Sequence, residues 1–211
     1  WDNAYCIHHI YHDVQDEILN ILEECEKAGN PNMVYIFAST SKISFPGSGV
    51  SAIATSLENM DYIKKFMTTQ IIGHDKINQL RHVRFFKNID GLKEHMKKHA
   101  EILRPKFELV LSKFEEELKD LGVGMWYTPK GGYFICYEAL EGCAKAIVSK
   151  AKKAGVVMTP AGAPFPYGKD PKDCIIRIAP TYPDLEDLAI AANIFVVCVK
   201  LASVEKLLGE I

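Results

Sequence analysis

Met33-Val34-Tyr35-Ile36-Phe37-Ala38, continuing into Ser39-Thr40-Ser41-Lys42-Ile43-Ser44-Phe45-Pro46-Gly47-Ser48-Gly49, is the informative stretch of this chain. Its first six residues form an unbroken apolar run between turn formers, the pattern of a strand buried on both faces of a parallel sheet. From Ser39 to Ser51 serine and glycine exclude a regular element, so Lys42 stands in a loop just past the strand. Small hydroxylated side chains and open backbone N–H groups let an anion such as phosphate approach the main chain. A lysine beside them either pairs with that anion or forms an imine with a carbonyl compound. The order G-x-x-x-x-G-K-[ST] is absent, which excludes a Walker loop.

Outward from this stretch the elements alternate. Residues 13–28, with Val14, Ile18, Leu19 and Leu22 at helical spacing, predict a helix stopped by Gly29-Asn30-Pro31. Residues 2–10 read as a strand end running into a loop, 50–54 as a short strand, and 57–72 and 75–86 as helices. Asn88-Ile89-Asp90-Gly91 breaks the pattern, and a long helix over 92–121 follows, with a kink or join predicted at Pro105. Beyond Gly122, strands at 132–137, 156–159 and 174–178 alternate with helices at 142–154 and 185–208. This is an α/β chain with a domain boundary near residues 87–91 and no internal repeat.

Composition narrows the function classes. The 211 residues carry 25 Lys plus Arg against 27 Asp plus Glu, a net charge of -2, so bulk electrostatics give no reason to expect nucleic acid or an anionic membrane. Hydrophobic residues at 48% and charged ones at 25% are ordinary for a globular protein, and 14 Gly with 10 Pro exclude a collagenous chain. The apolar run 188–199 is interrupted by Asn193 and closed by Lys200, short of the roughly 20 residues of a spanning helix, and reads as a buried helix. Cys6, Cys25, Cys136, Cys143, Cys174 and Cys198 form no C-x-x-C pair and read as reduced thiols of a cytosolic protein. His8, His9 and His12 have no carboxylate or thiol at zinc spacing, so no metal is expected there. His95 and His99, among Lys93, Lys97 and Lys98, read as a solvated helix face. Tyr133 and Tyr167 read as packing aromatics, with the neighbouring glycines leaving a site role open. Trp1 opens the chain without a targeting signature, and the sequence reads as a fragment whose start has been removed.

Two further features bear on Lys42. Asp2 and Tyr5 lie at the C-terminal end of a predicted strand, where open parallel sheets place their sites, and an acid and a phenol there can address two atoms of one aromatic ring. Arg177 sits inside the apolar strand Cys174-Ile175-Ile176-Arg177-Ile178. A buried guanidinium is costly without a partner, so it is expected to meet a carboxylate, of the protein or of a ligand.

Together, Asp2 and Tyr5 (D-x-x-Y), Ser39 to Lys42 (S-x-S-K), Gly131-Gly132-Tyr133-Phe134 (G-G-[YF]-F) and Arg177-Ile178 resemble the class I aminotransferases of the fold-type I pyridoxal-phosphate enzymes. Ile77-Asn78-Gln79-Leu80-Arg81-His82 and Thr159-Pro160-Ala161-Gly162-Ala163-Pro164-Phe165-Pro166-Tyr167 are most similar to the subgroup Ic bacterial aspartate aminotransferases. The resemblance covers essentially the whole chain, but only the second half of such an enzyme. It implies the pyridoxal-phosphate-dependent transferase fold type I. Residues 1–87 would complete the large parallel-sheet domain, and 88–211 would form the small C-terminal α+β domain.

The same resemblance implies that Lys42 holds pyridoxal 5′-phosphate as a Schiff base and then moves the proton released from the substrate Cα. It implies that Asp2 faces the pyridine nitrogen and keeps it protonated, and that Tyr5 donates to the ring oxygen. Ser39 and Ser41 become phosphate ligands, Arg177 the clamp on the substrate α-carboxylate, and Gly131 and Gly132 a close backbone passage. The implied reaction is ping-pong transfer of an amino group from an amino acid, aspartate by resemblance, to a 2-oxo acid, 2-oxoglutarate by resemblance. A cytoplasmic homodimer acting on small molecules, with no nucleic acid or membrane partner, goes with it. One departure stands out. The family's arginine about eight residues after the lysine is missing from Pro46-Gly47-Ser48-Gly49-Val50-Ser51. The Gly-rich phosphate turn, the ring-stacking aromatic and the asparagine near the cofactor's phenolate lie upstream in the family and have no counterpart here. Two alternatives stay open: a lyase or decarboxylase using the same cofactor, and a non-catalytic ligand-binding module.

Overall fold

In the computed structural model, which describes residues 1–211, the apolar run forms strand β1, Ile36–Ser39. It pairs antiparallel with β2, Ser51–Ala54, from Ile36↔Ala54 to Ser39↔Ser51. Its other edge meets Asp2 in a parallel bridge at Phe37, closed by Asn3 N–H to the Phe37 carbonyl (2.7 Å) and Phe37 N–H to the Trp1 carbonyl (2.9 Å). Burial on both faces is not found, since Phe37 is 53% exposed and no residue of β1 is fully buried. An apolar run reports a preference for burial; the layers that cover it come from other parts of the fold.

Helix α1 is Ile21–Lys27 and not the longer helix that the spacing predicts, with Asn20 Oδ1 accepting the Leu22 N–H as its cap. Val14, Ile18 and Leu19 are exposed, so the apolar stripe over residues 13–20 has nothing to pack on, and propensity alone does not hold a short helix. Helix α2, Leu57–Gln70, starts at a Ser56 cap, and α3, Lys76–Phe86, at an Asp75 cap. Helix α4 runs from Ile89 to Glu117 as one element across Pro105. The predicted break at Asn88–Gly91 is instead the start of α4, where Asn88 Oδ1 accepts the Gly91 N–H at 2.9 Å. A Cβ on Gly91 would lie 2.0 Å from the Phe86 carbonyl oxygen, so only glycine lets α4 start so close behind α3.

The chain divides into two compact units, Trp1–His99 and Ala100–Ile211. In the second, β3 (Gly124–Trp126), β4 (Ile135–Ala139) and β5 (Ile175–Ile178) form an antiparallel sheet in the order β3-β4-β5, with α5 (Ala144–Lys153) and α6 (Leu185–Leu207) packed together. Strand β3 was not foreseen, and the predicted strand at 156–159 is irregular, with Val157 turned to solvent. Central strand β4 buries Ile135, Tyr137 and Ala139 in strict alternation, the period of a half-buried strand.

Phe114 on α4 is fully buried at the centre of this unit, its ring 5.6 Å from Trp126, 5.5 Å from Tyr137 and 5.4 Å from Phe195. Helix α6, at 23 residues, is long and apolar enough to cross a membrane by length and composition. Leu188, Ala192, Phe195, Val196, Val199 and Ala202 are nevertheless buried inside the unit, as in a core helix. Phe114→Ala removes the ring on which helices and sheet meet and is predicted to cost about 3–5 kcal/mol, read as a lowered midpoint in chemical denaturation.

Candidate active site

The loop from β1 to β2 is closed at its neck by one residue pair. Thr40 N–H donates to the Val50 carbonyl at 2.9 Å, and Val50 N–H donates to Thr40 Oγ1 at 2.8 Å. Just inside the neck the chain makes a single helical turn, in which Ile43 and Ser44 N–H both reach the Thr40 carbonyl at 2.9 and 2.8 Å. Lys42 stands in that turn, and its Nζ lies 5.0 Å from the centre of the Tyr5 ring. Asp2, held beside Phe37 by the parallel bridge, turns one carboxylate oxygen onto the Ala4 N–H at 3.0 Å. The structure therefore brings Asp2, Tyr5 and Lys42 to one end of the small sheet.

Ser39 and Ser41 lie next to each other, Oγ to Oγ at 3.1 Å. An open cleft of about 1010 Å³ is lined by Asp2, Ser39, Lys42, Gly49, His74 and Asn78, among others. A Cβ on Gly49 would stand 3.2 Å from both the Ser41 nitrogen and Thr40 Oγ1, so glycine keeps this wall of the cleft flush with the hydroxyls. Asn78 Nδ2 donates to the Gly49 carbonyl at 2.9 Å, while its Oδ1 is buried with no hydrogen-bond partner. A carboxylate, an amine and the Ser39 hydroxyl around one cleft, with the Ser41 hydroxyl beside it, fit a small anionic heteroaromatic carbonyl compound such as pyridoxal phosphate.

Sequence reasoning missed the polar ring around Lys42. His8 is buried, with its Nε2 3.1 Å from the Lys42 carbonyl and its ring edge-on to Tyr5 at 5.4 Å. His82 Nε2 lies 2.7 Å from Ser44 Oγ and 3.1 Å from Thr40 Oγ1. His95 and His99 do not form the solvated face expected of them. His95 Nε2 lies 2.8 Å from the Ile43 carbonyl and 3.1 Å from His99 Nε2. The one available signal was the i, i+4 spacing of Asn78 with His82 and of His95 with His99, which aligns polar groups along one helix side. Burial is the main cause that lowers the His8 pKa below its ordinary value, opposed by hydrogen bonding to the Lys42 and Tyr5 backbone and reinforced by the Lys42 charge. His99 is lowered by burial first, then by His95 and His8.

Arg177 belongs to the second unit, on β5 opposite Cys136. Its guanidinium carbon lies 4.6 Å from the centre of the Phe134 ring, and its Nε is buried with no hydrogen-bond partner. No carboxylate of this chain forms an ion pair with it. A cavity of about 640 Å³ lined by Arg177, Val110, Phe114 and Asp187, among others, opens beside it. Lys106 Nζ donates to the Thr181 and Pro183 carbonyls at 2.8 and 2.6 Å, pinning the segment that follows β5.

The family model described as aspartate amino-transferase matches residues 1–211. A protein of Mycolicibacterium smegmatis, provisionally named an aminotransferase, is 44% identical over 210 residues, which are 100% of this chain and 49% of that protein. The crystal structure of an aspartate transaminase from Corynebacterium glutamicum superposes with a TM-score of 0.92 at 40% identity, covering 98% of this chain and 48% of that one. LysN, an α-aminoadipate aminotransferase of Thermus thermophilus solved with N-(5′-phosphopyridoxyl)-L-leucine, shares the fold at a TM-score of 0.74 and 21% identity, over 95% of this chain and 49% of that one. The fold is thus that of the fold-type I aminotransferases, as the motifs imply. The chain spans about half the length of the curated relatives it matches.

The histidines carry a pH prediction. Because the folded-state pKa values of His8 and His99 are lowered, the unfolded chain takes up their protons first as the pH falls. Stability from these groups is complete above about pH 6.5 and is lost as the pH drops toward the folded values. The denaturant midpoint should fall on acidification below about pH 6.5, and His99→Gln should flatten that dependence.

Proposed function

Because the chain belongs to the aspartate amino-transferase family, we propose that it carries the lysine-bearing part of a pyridoxal 5′-phosphate-dependent aminotransferase. The observation that carries this reading is the convergence of Lys42, Asp2 and Ser39 on one cleft, with the Tyr5 ring beneath the lysine. The reaction we assign is transfer of the amino group of aspartate to 2-oxoglutarate. Support comes from the 40% identity to the C. glutamicum aspartate transaminase over nearly the whole chain.

When bound, the cofactor supplies a protonated pyridine ring that takes up the electron pair left at the substrate Cα. Asp2 holds the ring nitrogen, and its negative charge keeps the nitrogen protonated. Tyr5 offers its hydroxyl to the ring oxygen. Ser39 and Ser41 would hold the phosphate, without the arginine usual in this loop. Lys42 Nζ would anchor the cofactor and would serve as the general base that takes the Cα proton. Arg177 binds the substrate α-carboxylate through two parallel N–H donors, and its unpaired Nε together with the Phe134 ring against one face presets the plane of that fork. Orienting the carboxylate orients the Cα–H bond that breaks.

In this reading residues 1–87 complete the cofactor-binding domain and 88–211 form the small domain. The protein acts as a cytoplasmic homodimer on small amino and 2-oxo acids, in keeping with six free thiols and with the family resemblance. Borohydride reduction of the full-length holoprotein followed by peptide mapping should find a phosphopyridoxyl adduct on Lys42; an unmodified Lys42 would overturn the assignment. Arg177→Ala should lower kcat/KM for aspartate by roughly 10- to 100-fold, since a charged hydrogen-bonded pair is worth about 1.5–3 kcal/mol. Release of pyruvate and ammonia from a cysteine conjugate would redirect the chemistry to a β-lyase, and conversion of aspartate to carbon dioxide and a shorter amino acid to a decarboxylase.

A further inference from the structure

The turn that carries Lys42 cannot continue as a helix. After Ser44 N–H to the Thr40 carbonyl, the helical bond from residue 45 to the Ser41 carbonyl is not made, and the one that follows would run to the Lys42 carbonyl from residue 46, which is Pro46 and has no N–H. The one after it would run to the Ile43 carbonyl from Gly47, whose φ of +78° turns the chain out of the helical region. Two successive carbonyls are therefore deprived of their helical donors within the turn that aims the lysine.

Imidazoles take those places. The carbonyls only accept, so His8 and His95 each hold the proton on Nε2, at 3.1 Å from the Lys42 oxygen and 2.8 Å from the Ile43 oxygen. The third residue of the turn, Ser44, is held by His82. His82 Nδ1 lies 2.8 Å from the Asn78 carbonyl and donates there, which leaves Nε2 to accept from the Ser44 hydroxyl at 2.7 Å. Residues 42, 43 and 44 are thus each held by a histidine, from the segment after Asp2, from α4 and from α3. His99 stands behind His95 with its Nε2 accepting a share of the same N–H at 3.1 Å.

We propose that His8 and His95 are positioning residues for Lys42, setting the backbone turn from which its amine is aimed; this rests on Lys42 being the cofactor lysine. Histidine suits the task because it donates a hydrogen bond while uncharged. An arginine or lysine in the same place would set a permanent positive charge beside an amine that must give up its own proton to act as a base. Burial favours that neutral form for His8. Neither imidazole need touch substrate or cofactor, and a shift of about 1 Å in the lysine is enough to slow the chemistry by about 10²-fold.

The test uses the full-length holoprotein with His95→Phe and His8→Phe, which keep a flat ring and lose the donor, against His95→Gln and His8→Gln, which return an N–H near the Nε2 position. For the Phe variants we expect a roughly 10- to 100-fold lower single-turnover rate with aspartate at a KM within about threefold of wild type. We also expect a shifted pH midpoint of the cofactor's visible band, with the Gln variants recovering most of both. In the apoproteins, hydrogen exchange of a peptide spanning residues 41–47 should quicken in the Phe variants while peptides from 124–139 stay unchanged. Wild-type rate and exchange in His95→Phe, or Gln variants as impaired as their Phe counterparts, would overturn the proposal. His95 is only half-buried, so His95→Phe decides if His8→Phe fails to fold. A wild-type protein without adduct on Lys42 would instead remove the functional reading itself, which a Lys42 adduct in wild type together with unaffected Phe variants would leave standing.

Discussion

The pairing of Thr40 with Val50 is the constraint on which the first unit depends. One residue gives its N–H to a carbonyl and takes an N–H on its side-chain oxygen, so the ends of a loop rich in Ser and Gly are tied by two bonds at 2.9 and 2.8 Å. Such a loop has no secondary structure to stiffen it, and small residues lose much conformational freedom on ordering. With the neck shut, the turn behind it has a defined direction, and Lys42 leaves that turn toward the Tyr5 ring. The third bond of the neck, from Asn78 to the Gly49 carbonyl, ties it to α3.

The loop is built of hydroxyls and glycines, so apolar packing does not secure it. Its rigidity comes from outside, through the imidazoles of His8, His82 and His95, each from another stretch of chain. Polar networks of this kind hold one geometry when every donor meets an acceptor, and they cost stability when one does not. Burial favours the neutral form of His8, which donates to the Lys42 carbonyl.

The second unit solves an opposite problem. Arg177 must present a charge on an apolar strand, and the surrounding core takes up the cost. Phe114, Tyr137, Trp126 and Phe195 form a close aromatic group behind the antiparallel sheet, and Phe134 covers one face of the guanidinium. With no carboxylate of its own, the guanidinium keeps its in-plane donors available.

Much of this was legible in residue order. The strand that became β4 and the helices α2, α3 and α6 were readable along the chain, and the spacing of Asp2, Tyr5, Ser39, Ser41, Lys42 and Arg177 carried the family resemblance, because chemistry demands particular side chains at particular intervals. What the sequence could not determine was how much of each apolar run is covered. Residues 13–20 lack a packing partner and stay irregular, β1 is half open, and 156–159 finds no strand to pair with. Nor could it reveal that Asn88 to Gly91 opens a helix, since that rests on a 2.0 Å approach of a would-be Cβ to the Phe86 carbonyl. The histidines are the sharpest case. As sequence, His8, His95 and His99 read as loop and solvated surface, and only the folding of distant segments onto one turn makes His8 and His95 donors to Lys42 and its neighbour, with His99 behind His95. Side-chain chemistry is a property of the residue and can be read along the chain; burial and hydrogen-bond partnership belong to pairs of residues far apart in it, and only the tertiary structure brings those pairs together.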